Sequence, residues 1–430
     1  MTSPPAAPAR LKDIADRLAG YDPSSLPVDR AQAFIAALVS TVQGVEHLAL
    51  RSALGRVLAE PILSPLDVPA HDNSAMDGYA LRSTDLKSDG LTELRVVGKV
   101  LAGAQFDGTV GPGECVRITT GAVMPKDLDT VVPQELATLV QGHVHIEAGV
   151  VRAGDNRRLA GEDLARGSVA LPQGRLITPS DLGVAASLGR AELAVRRRLR
   201  VAFFSTGDEL RSLGEALDEG CVYDSNRYTI WGMLQRLGFV DLIDMGVMRD
   251  KAADLEAAFR EAASCADAVI TSGGVSVGEA DHTKQVMAAL GDVVFWRIAM
   301  RPGRPMAIGR MNGGALLFGL PGNPVAVMVT FYAFVRGALI QMAGVRGLPP
   351  PQVKARCMTP LHKKAGRTEY QRGIVTQDAD GQWSVSITGA QGSGILSSMS
   401  AANGLVVLPH NSGSVKTGDW VDVVPFDGLI

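Results

Sequence analysis

Residues 200–209 read Arg200-Val201-Ala202-Phe203-Phe204-Ser205-Thr206-Gly207-Asp208-Glu209. A short apolar run ends in a turn of small, hydroxylated and acidic residues. Such a run, bounded by a Gly turn, predicts a strand covered on both faces. The same pattern recurs downstream. Residues 268–270 run into Thr271-Ser272-Gly273-Gly274-Val275-Ser276-Val277-Gly278-Glu279-Ala280-Asp281, and residues 316–318 into Gly319-Leu320-Pro321-Gly322-Asn323-Pro324. Further strands are predicted at 240–245 and 293–296, with helices opening near Ser225, Lys251 and Thr283. This alternation predicts a mainly parallel sheet with helices on both faces over residues 199–346.

Outward from this domain the texture changes. Asp29 reads as the cap of an N-terminal helix with Ala31, Phe34, Ile35, Leu38 and Val42 on one stripe. Residues 61–163 carry short apolar runs at 94–100, 114–118, 130–133 and 143–146, punctuated by glycines, which predicts a small β-rich domain. Thr178-Pro179-Ser180-Asp181 opens another helix, closed by Gly189. The expected division is therefore 1–60 plus 164–198 as an N-terminal helical linking domain, 61–163 inserted within it, 199–346 as the α/β domain, and 347–430 as a C-terminal β-domain behind a Pro-rich linker. The fold class is multi-domain α/β.

Composition narrows the function. Of 430 residues, 42 are Lys or Arg and 45 are Asp or Glu, for a net charge of −3. That argues against nucleic-acid binding, which wants a strongly basic face. Cys115, Cys221, Cys265 and Cys357 are far apart, with no C-x-x-C. A zinc site and a disulfide framework are not expected, and a reducing cytoplasmic setting is. No secretory signal is visible at the N-terminus. The most apolar stretch, 325–335, is shorter than the ~20 residues a bilayer needs, so no membrane partner is expected.

In an open α/β sheet, ligands bind beyond the carboxyl ends of the strands. The three Gly-bearing loops lie there, each before a helix, where exposed N–H groups bind anions. They match neither a P-loop nor a dinucleotide fingerprint. Each alone would be an ordinary tight turn; three on strand ends point to a phosphate-bearing ligand. Asp208, Glu209, Asp250, Glu279 and Asp281 stand in or beside these loops. Carboxylates near phosphate call for a cation such as Mg²⁺, although a helix-capping acid is the competing reading. Arg297, Arg301 and Arg304 make a compact cationic loop whose guanidinium forks suit tetrahedral oxyanions. By contrast, Arg196-Arg197-Arg198 lies far from any Gly loop and reads as surface.

Together these motifs resemble the molybdopterin molybdenumtransferase (MoeA) family of molybdenum-cofactor biosynthesis. The matching stretches are Asp72 to Ala80, Thr120 to Pro125, Ala160 to Asp163, Ser205 to Leu210, Tyr223 to Arg227, Thr271 to Asp281, Arg301 to Pro305, Gly319 to Pro324 and Gln391 to Ser393. The resemblance implies a central molybdopterin-binding-like domain, a C-terminal β-barrel-like domain and an elongated homodimer. It implies Mg²⁺-dependent ligation of molybdate, the substrate, into adenylylated molybdopterin, with release of AMP. The family's functional groups would fall on Asp77, Asp163, Glu209, Asp250, Asp281, Arg297 and Arg301, with Mg²⁺ on Glu209 and Asp281. Substrate contacts would fall on Thr120, Ser205, Thr206, Gly207, Ser225, Asn226, Ser272, Gly273, Gly274, Ser276, Gly278, Arg304, Pro321, Gly322, Asn323, Arg372 and Ser393. An upstream adenylyltransferase and downstream cofactor acceptors are the implied partners. The chain departs from the family pattern with Arg at 297, 301 and 304, where Lys is frequent, and with His282, where an aromatic is common. An adenylyltransferase on the same α/β fold is a rival reading, but it would lack the domains at 61–163 and 350–430. An interaction scaffold is another, and would release no AMP.

Overall fold

The computed structural model describes residues 24–275 and 282–426, with Leu11, Asp13, Ile14 and Asp22 before them. Ser276, Gly278, Glu279 and Asp281 therefore lie outside the described residues.

The α/β domain is built on six strands. Their spatial order is Val240–Met248, Leu199–Thr206, Ala268–Ser272, Leu316–Leu320, Pro305–Met311 and Gly291–Arg297. The first four are parallel, and the last two run antiparallel to their neighbours. The sheet is thus mixed. Pro305–Met311 is not legible in advance, because Arg301-Pro302-Gly303-Arg304-Pro305 reads as a loop. A proline at the first residue of a strand costs no ladder bond inside it.

Alternate residues feed two cores. Val201, Phe203, Ile270, Ile308 and Phe318 pack with the Val28–Leu38 helix and the long apolar helix. Ala202, Phe204, Val269, Ala307 and Leu317 pack with Ala252–Cys265 and His282–Leu290 on the other face. Both faces being dry is why the strand reads as a continuous apolar run.

The long helix, Pro324–Met342, has 19 residues, longer than the 325–335 stretch considered from sequence. By length it could span a bilayer, but 72% of its most apolar window is buried inside the protein. It is a core helix with a π segment at Phe331–Val335. The Val28–Leu38 helix starts at Pro27, so Asp29 stands in its first turn and does not cap it. Phe34 meets Trp296 edge-on at 4.7 Å.

Val45–Ala49 pairs antiparallel with Glu192–Arg196. Around this pair, Leu58, Ile62, Leu171, Ile177 and Leu188 form a separate small core. The Pro179–Ser187 helix opens with a capping box between Thr178 and Asp181. The Arg196–Arg198 run is not a free surface. Arg197 chelates Asp267 with two bonds of 2.7 Å, and Arg196 donates to the Val42 carbonyl at 2.9 Å. These arginines clamp the linking region to the α/β domain. Burial works to raise the Asp267 carboxyl, but the hydrogen bonds from Arg197 and the Arg200 N–H outweigh it and hold it below the usual range.

The inserted domain has a six-stranded sheet, in the order Thr130–Pro133, Gly78–Leu81, Glu114–Ile118, Leu91–Val100, His143–Glu147 and Ala137–Val140. The Asp77-Gly78 dipeptide, which resembles a turn, enters an inner strand instead. A Cβ on Gly78 would sit 1.9 Å from the Val132 carbonyl oxygen. Only glycine lets these two backbones approach so closely. The C-terminal domain closes a five-stranded ring through Thr368–Gln377, Trp383–Ile387, Val353–Cys357, Trp420–Pro425 and Gly404–Leu408.

Two outcomes follow from this packing. Gly78→Ala should destabilise the inserted domain by about 3 kcal/mol, the upper end of ordinary overpacking, read as an earlier circular-dichroism transition. Arg197→Ala removes the two-bond partner of Asp267, leaving it only Arg200, and should cost roughly 2 kcal/mol at neutral pH. Because the Asp267 pKa is depressed in the folded state, the clamp's contribution is full above the unfolded carboxylate pKa of about 4 and fades as pH falls below it. Urea midpoints of wild type and variant should therefore converge in acid.

Candidate functional site

The carboxyl ends of the parallel strands open into a cavity of about 1070 Å³. The three Gly-bearing loops meet there. Thr206, Gly207 and Glu209 come from the first, Ser272, Gly273, Gly274 and Val275 from the second, and Pro321, Gly322 and Asn323 from the third. Ser225 and Asn226, at the start of the Ser225–Gln235 helix, stand beside them, as does Asp250. The remaining wall holds Arg301, Arg304 and, from the barrel domain, Arg367, Gln391, Gly392 and Ser393.

Close backbone approaches fix the loops. Gly273 has φ +94°, and a Cβ there would meet the Thr206 carbonyl oxygen at 2.5 Å. Its N–H donates to the Leu320 carbonyl at 3.1 Å, so the second loop touches both others. The Asp208 carboxylate accepts from the Asp250 N–H at 3.2 Å, while Arg249 donates to the Asp208 and Leu210 carbonyls. This sets Asp250 beside Glu209. Asp224 caps its helix by accepting from the Arg227 N–H and also accepts from the Ser205 hydroxyl at 3.0 Å. The Asn226 amide donates to the Ser272 hydroxyl and to the Gly322 carbonyl, both at 2.7 Å.

The barrel domain is fastened to the same rim. Met300–Arg301 pairs with Thr368–Glu369. The Ser393 carbonyl accepts from the Val325 N–H, capping the long helix at its start. Arg367 lies in the cavity wall, oriented by Glu369 at 2.8 Å. Sequence reasoning missed Arg367. Its signal was the two-residue offset from Glu369 at the head of a strand, which puts both on one face.

The expected site residues divide into groups. Thr206, Gly207, Glu209, Ser225, Asn226, Asp250, Ser272, Gly273, Gly274, Arg301, Arg304, Pro321, Gly322, Asn323 and Ser393 line this cavity. Ser205 does not; it is fully buried beneath, against Asp224. Arg372 does not either. It is 1% exposed, and its guanidinium donates to Ser398 and to the Ala390, Gln391 and Gly392 carbonyls. Three of its five N–H groups are spent on the loop that carries Ser393 and one on Ser398, so it shapes the wall from behind. Burial, with Arg301 nearby, pulls its pKa down. Arg297 ends its strand exposed and outside the wall. Ser276, Gly278 and Asp281 lie outside the described residues.

Asp77, Thr120 and Asp163 belong to a second cluster in the inserted domain. The Thr120 N–H and hydroxyl donate to Asp77 at 2.7 and 2.8 Å and hold its carboxyl below the ordinary range. Asp72 ties the segments together: it pairs with Arg157 and accepts from the Ala160 N–H at 2.7 Å. Ser74 exchanges backbone bonds with Gly121 and Ala122, and the Asp163 N–H donates to Val68. None of the three lines the main cavity.

For a divalent cation, the described residues hold no ready-made cluster of three or more His, Cys, Asp or Glu. Glu209 and Asp250 nevertheless present two carboxylates to one cavity lined by helix starts. That fits Mg²⁺, which commonly takes one or two carboxylates plus substrate phosphate.

Comparison with known proteins agrees with this architecture. Residues 26–189 match the MoeA N-terminal region (domain I and II), 202–341 a probable molybdopterin binding domain, and 354–426 the MoeA C-terminal region (domain IV). A molybdopterin molybdenumtransferase of Haemophilus influenzae is 41% identical over 94% of this chain and all of its own length. One from a Nostoc species is 36% identical over 89% of each. A molybdopterin biosynthesis moeA protein from Pyrococcus horikoshii superposes with a TM-score of 0.81 at 27% identity, over 94% of this chain and all of that one. With three consecutive domain matches and full-length relatives, the chain belongs to the MoeA family of molybdopterin molybdenumtransferases.

Proposed function

We propose that the protein inserts molybdate into adenylylated molybdopterin, releasing AMP and forming the molybdenum cofactor in an Mg²⁺-dependent reaction. One observation carries this reading. A single cavity combines helix-start N–H groups, two carboxylates and three arginines, which is what a substrate with a phosphoanhydride and a second, oxyanionic substrate require.

The Gly loops hold the phosphoanhydride through those backbone N–H groups not already bonded within the fold, as the Gly207 and Gly273 N–H groups are to Met248 and Leu320. Arg301, Arg304 and Arg367 gather molybdate, their planar forks matched to a tetrahedral dianion. Arg297, outside the wall, contributes to the approach field. Glu209 and Asp281 are assigned to Mg²⁺, and Asp250 shares the cavity wall with Glu209; when bound, the cation would supply polarisation of the phosphoanhydride. A molybdate oxygen attacks the pterin-side phosphorus of the phosphoanhydride and breaks its P–O bond to AMP, which leaves; the two dithiolene thiols then bond the metal as its bridge to the phosphate breaks and one oxo group departs as water with the two thiol protons. The Ser393 loop, held by Arg372, closes the barrel side of the cavity.

Asp77, Thr120 and Asp163 then need a route to the reaction. They sit in a separate cluster of the same chain, so we assign them to the cavity of a partner subunit in a homodimer. The setting is cytoplasmic, with no nucleic-acid or membrane partner. An adenylyltransferase must act before this step, and cofactor acceptors after it.

AMP release in the presence of adenylylated molybdopterin and Mg²⁺ should require molybdate. Release without molybdate, or none with it, overturns the reading. Glu209→Ala should slow release about 100-fold, as expected for losing a charge-positioning group, and unchanged turnover would remove Glu209 from the metal assignment. Mixing and re-associating Asp77→Ala with Glu209→Ala subunits should restore about a quarter of wild-type activity, since half the dimers are mixed and one of their two sites is intact. No recovery on mixing would place Asp77 in its own subunit's chemistry.

A further inference from the structure

We infer that Asn226 is a positioning residue that locks the three Gly-bearing loops into one cradle, and that it is not itself an anion ligand. The inference deepens the proposed function and rests on it for the identity of the substrate.

Asn226 is 8% exposed. It sits at the first turn of the Ser225–Gln235 helix, whose cap Asp224 is itself held by Ser205 of the first strand. Its amide nitrogen has two hydrogens, and both are used. One goes to the Ser272 hydroxyl of the second loop and one to the Gly322 carbonyl of the third, each at 2.7 Å. The Ser272 hydroxyl in turn donates to the Pro321 carbonyl at 3.5 Å, a longer contact between the same two loops.

This accounting decides the role. A side-chain amide offers two donors and one acceptor. With both donors committed, only Oδ1 is left for a ligand, and it is a buried acceptor without a partner. An acceptor repels phosphate and molybdate oxygens. Asn226 therefore serves the anion indirectly, by fixing where the N–H groups of Gly274 and the third loop point, the Gly273 N–H being already committed to the Leu320 carbonyl. Ser272 and Gly322 end up on either side of one side chain that a third element anchors.

The lock predicts a local signature. In the free protein, Asn226→Ala should speed amide hydrogen exchange at 271–275 and 320–323 at least tenfold, while 199–204 and 316–319 stay protected. In turnover, KM for adenylylated molybdopterin should rise at least tenfold with kcat within threefold, because a loosened cradle binds the ground state less well. Asn226→Asp keeps the shape but loses the donors and sets a carboxylate against the Gly322 carbonyl, so it should be no better than alanine. Ser272→Ala, which leaves the Gly322 bond intact, should loosen 271–275 and spare 320–323. Exchange rising across the whole sheet would make the role merely structural and overturn the proposal. So would unchanged loop exchange, an unchanged KM, or an Asp variant that behaves as wild type. If wild type gives no molybdate-dependent AMP release, the proposed function fails, and the exchange measurements still judge the lock.

Discussion

Burial of one sheet on both faces governs this structure. Three of the four parallel strands are dry above and below, with Val240–Met248 at the half-exposed edge, and all four end together at one rim, where their loops gather. The odd residues of the first strand, Val201 and Phe203, hold one core, and the even ones, Ala202 and Phe204, hold the other. A one-residue slip would exchange the two sets and move every loop. The placement of Ser205, Gly207 and Glu209 is thus set by apolar side chains several residues earlier. Chemistry at the rim is a consequence of packing in the middle.

The same rim is where the domains are sewn together, by backbone bonds more than by charge. The Arg297–Arg304 segment is gripped from two sides. Leu26 bridges Ile298, and Thr368–Glu369 lies beside Met300–Arg301. Three distant parts of the chain therefore meet at one cationic loop. The backbone of that loop is held from both sides, while the Arg301 and Arg304 side chains stay exposed at the rim and open to an arriving anion. Arg372 completes the arrangement from below. A fully buried arginine is costly to desolvate, and the hydrogen bonds it donates to three consecutive carbonyls and to Ser398 offset that cost while fixing the loop's shape.

Much of this was legible in the chain because strand and loop signals coincided. The run 200–209 announces strand, loop and acid together. What stayed hidden shares a physical cause: partners far away in sequence. Pro305–Met311 is a strand only because Gly291–Arg297 and Leu316–Leu320 flank it. Gly78 enters a strand because Val132 crosses it at a distance that no side chain tolerates. Arg197 reads as surface until Asp267 is placed opposite, and Arg372 reads as a ligand until the 390–392 loop consumes its donors. Local pattern predicts where an element starts; it does not predict which donor is already spent.

That distinction also explains the charge layout. The chain is nearly neutral overall, yet one cavity carries acids and arginines together. Mutual neutralisation by direct ion pairs would be the simplest outcome, and Arg367 does pair, but with Glu369 behind the wall. Glu209 forms no ion pair with these cations at contact distance among the described residues. The Asp250 N–H is fixed on the Asp208 carboxylate, which anchors that stretch of backbone at the rim. Rigid loops keep the two signs apart in a space where attraction would otherwise collapse them. A cavity held open against its own electrostatics can receive a cation on one set of groups and an oxyanion on the other. The strands supply that rigidity, and so the fold and the chemistry share one cause.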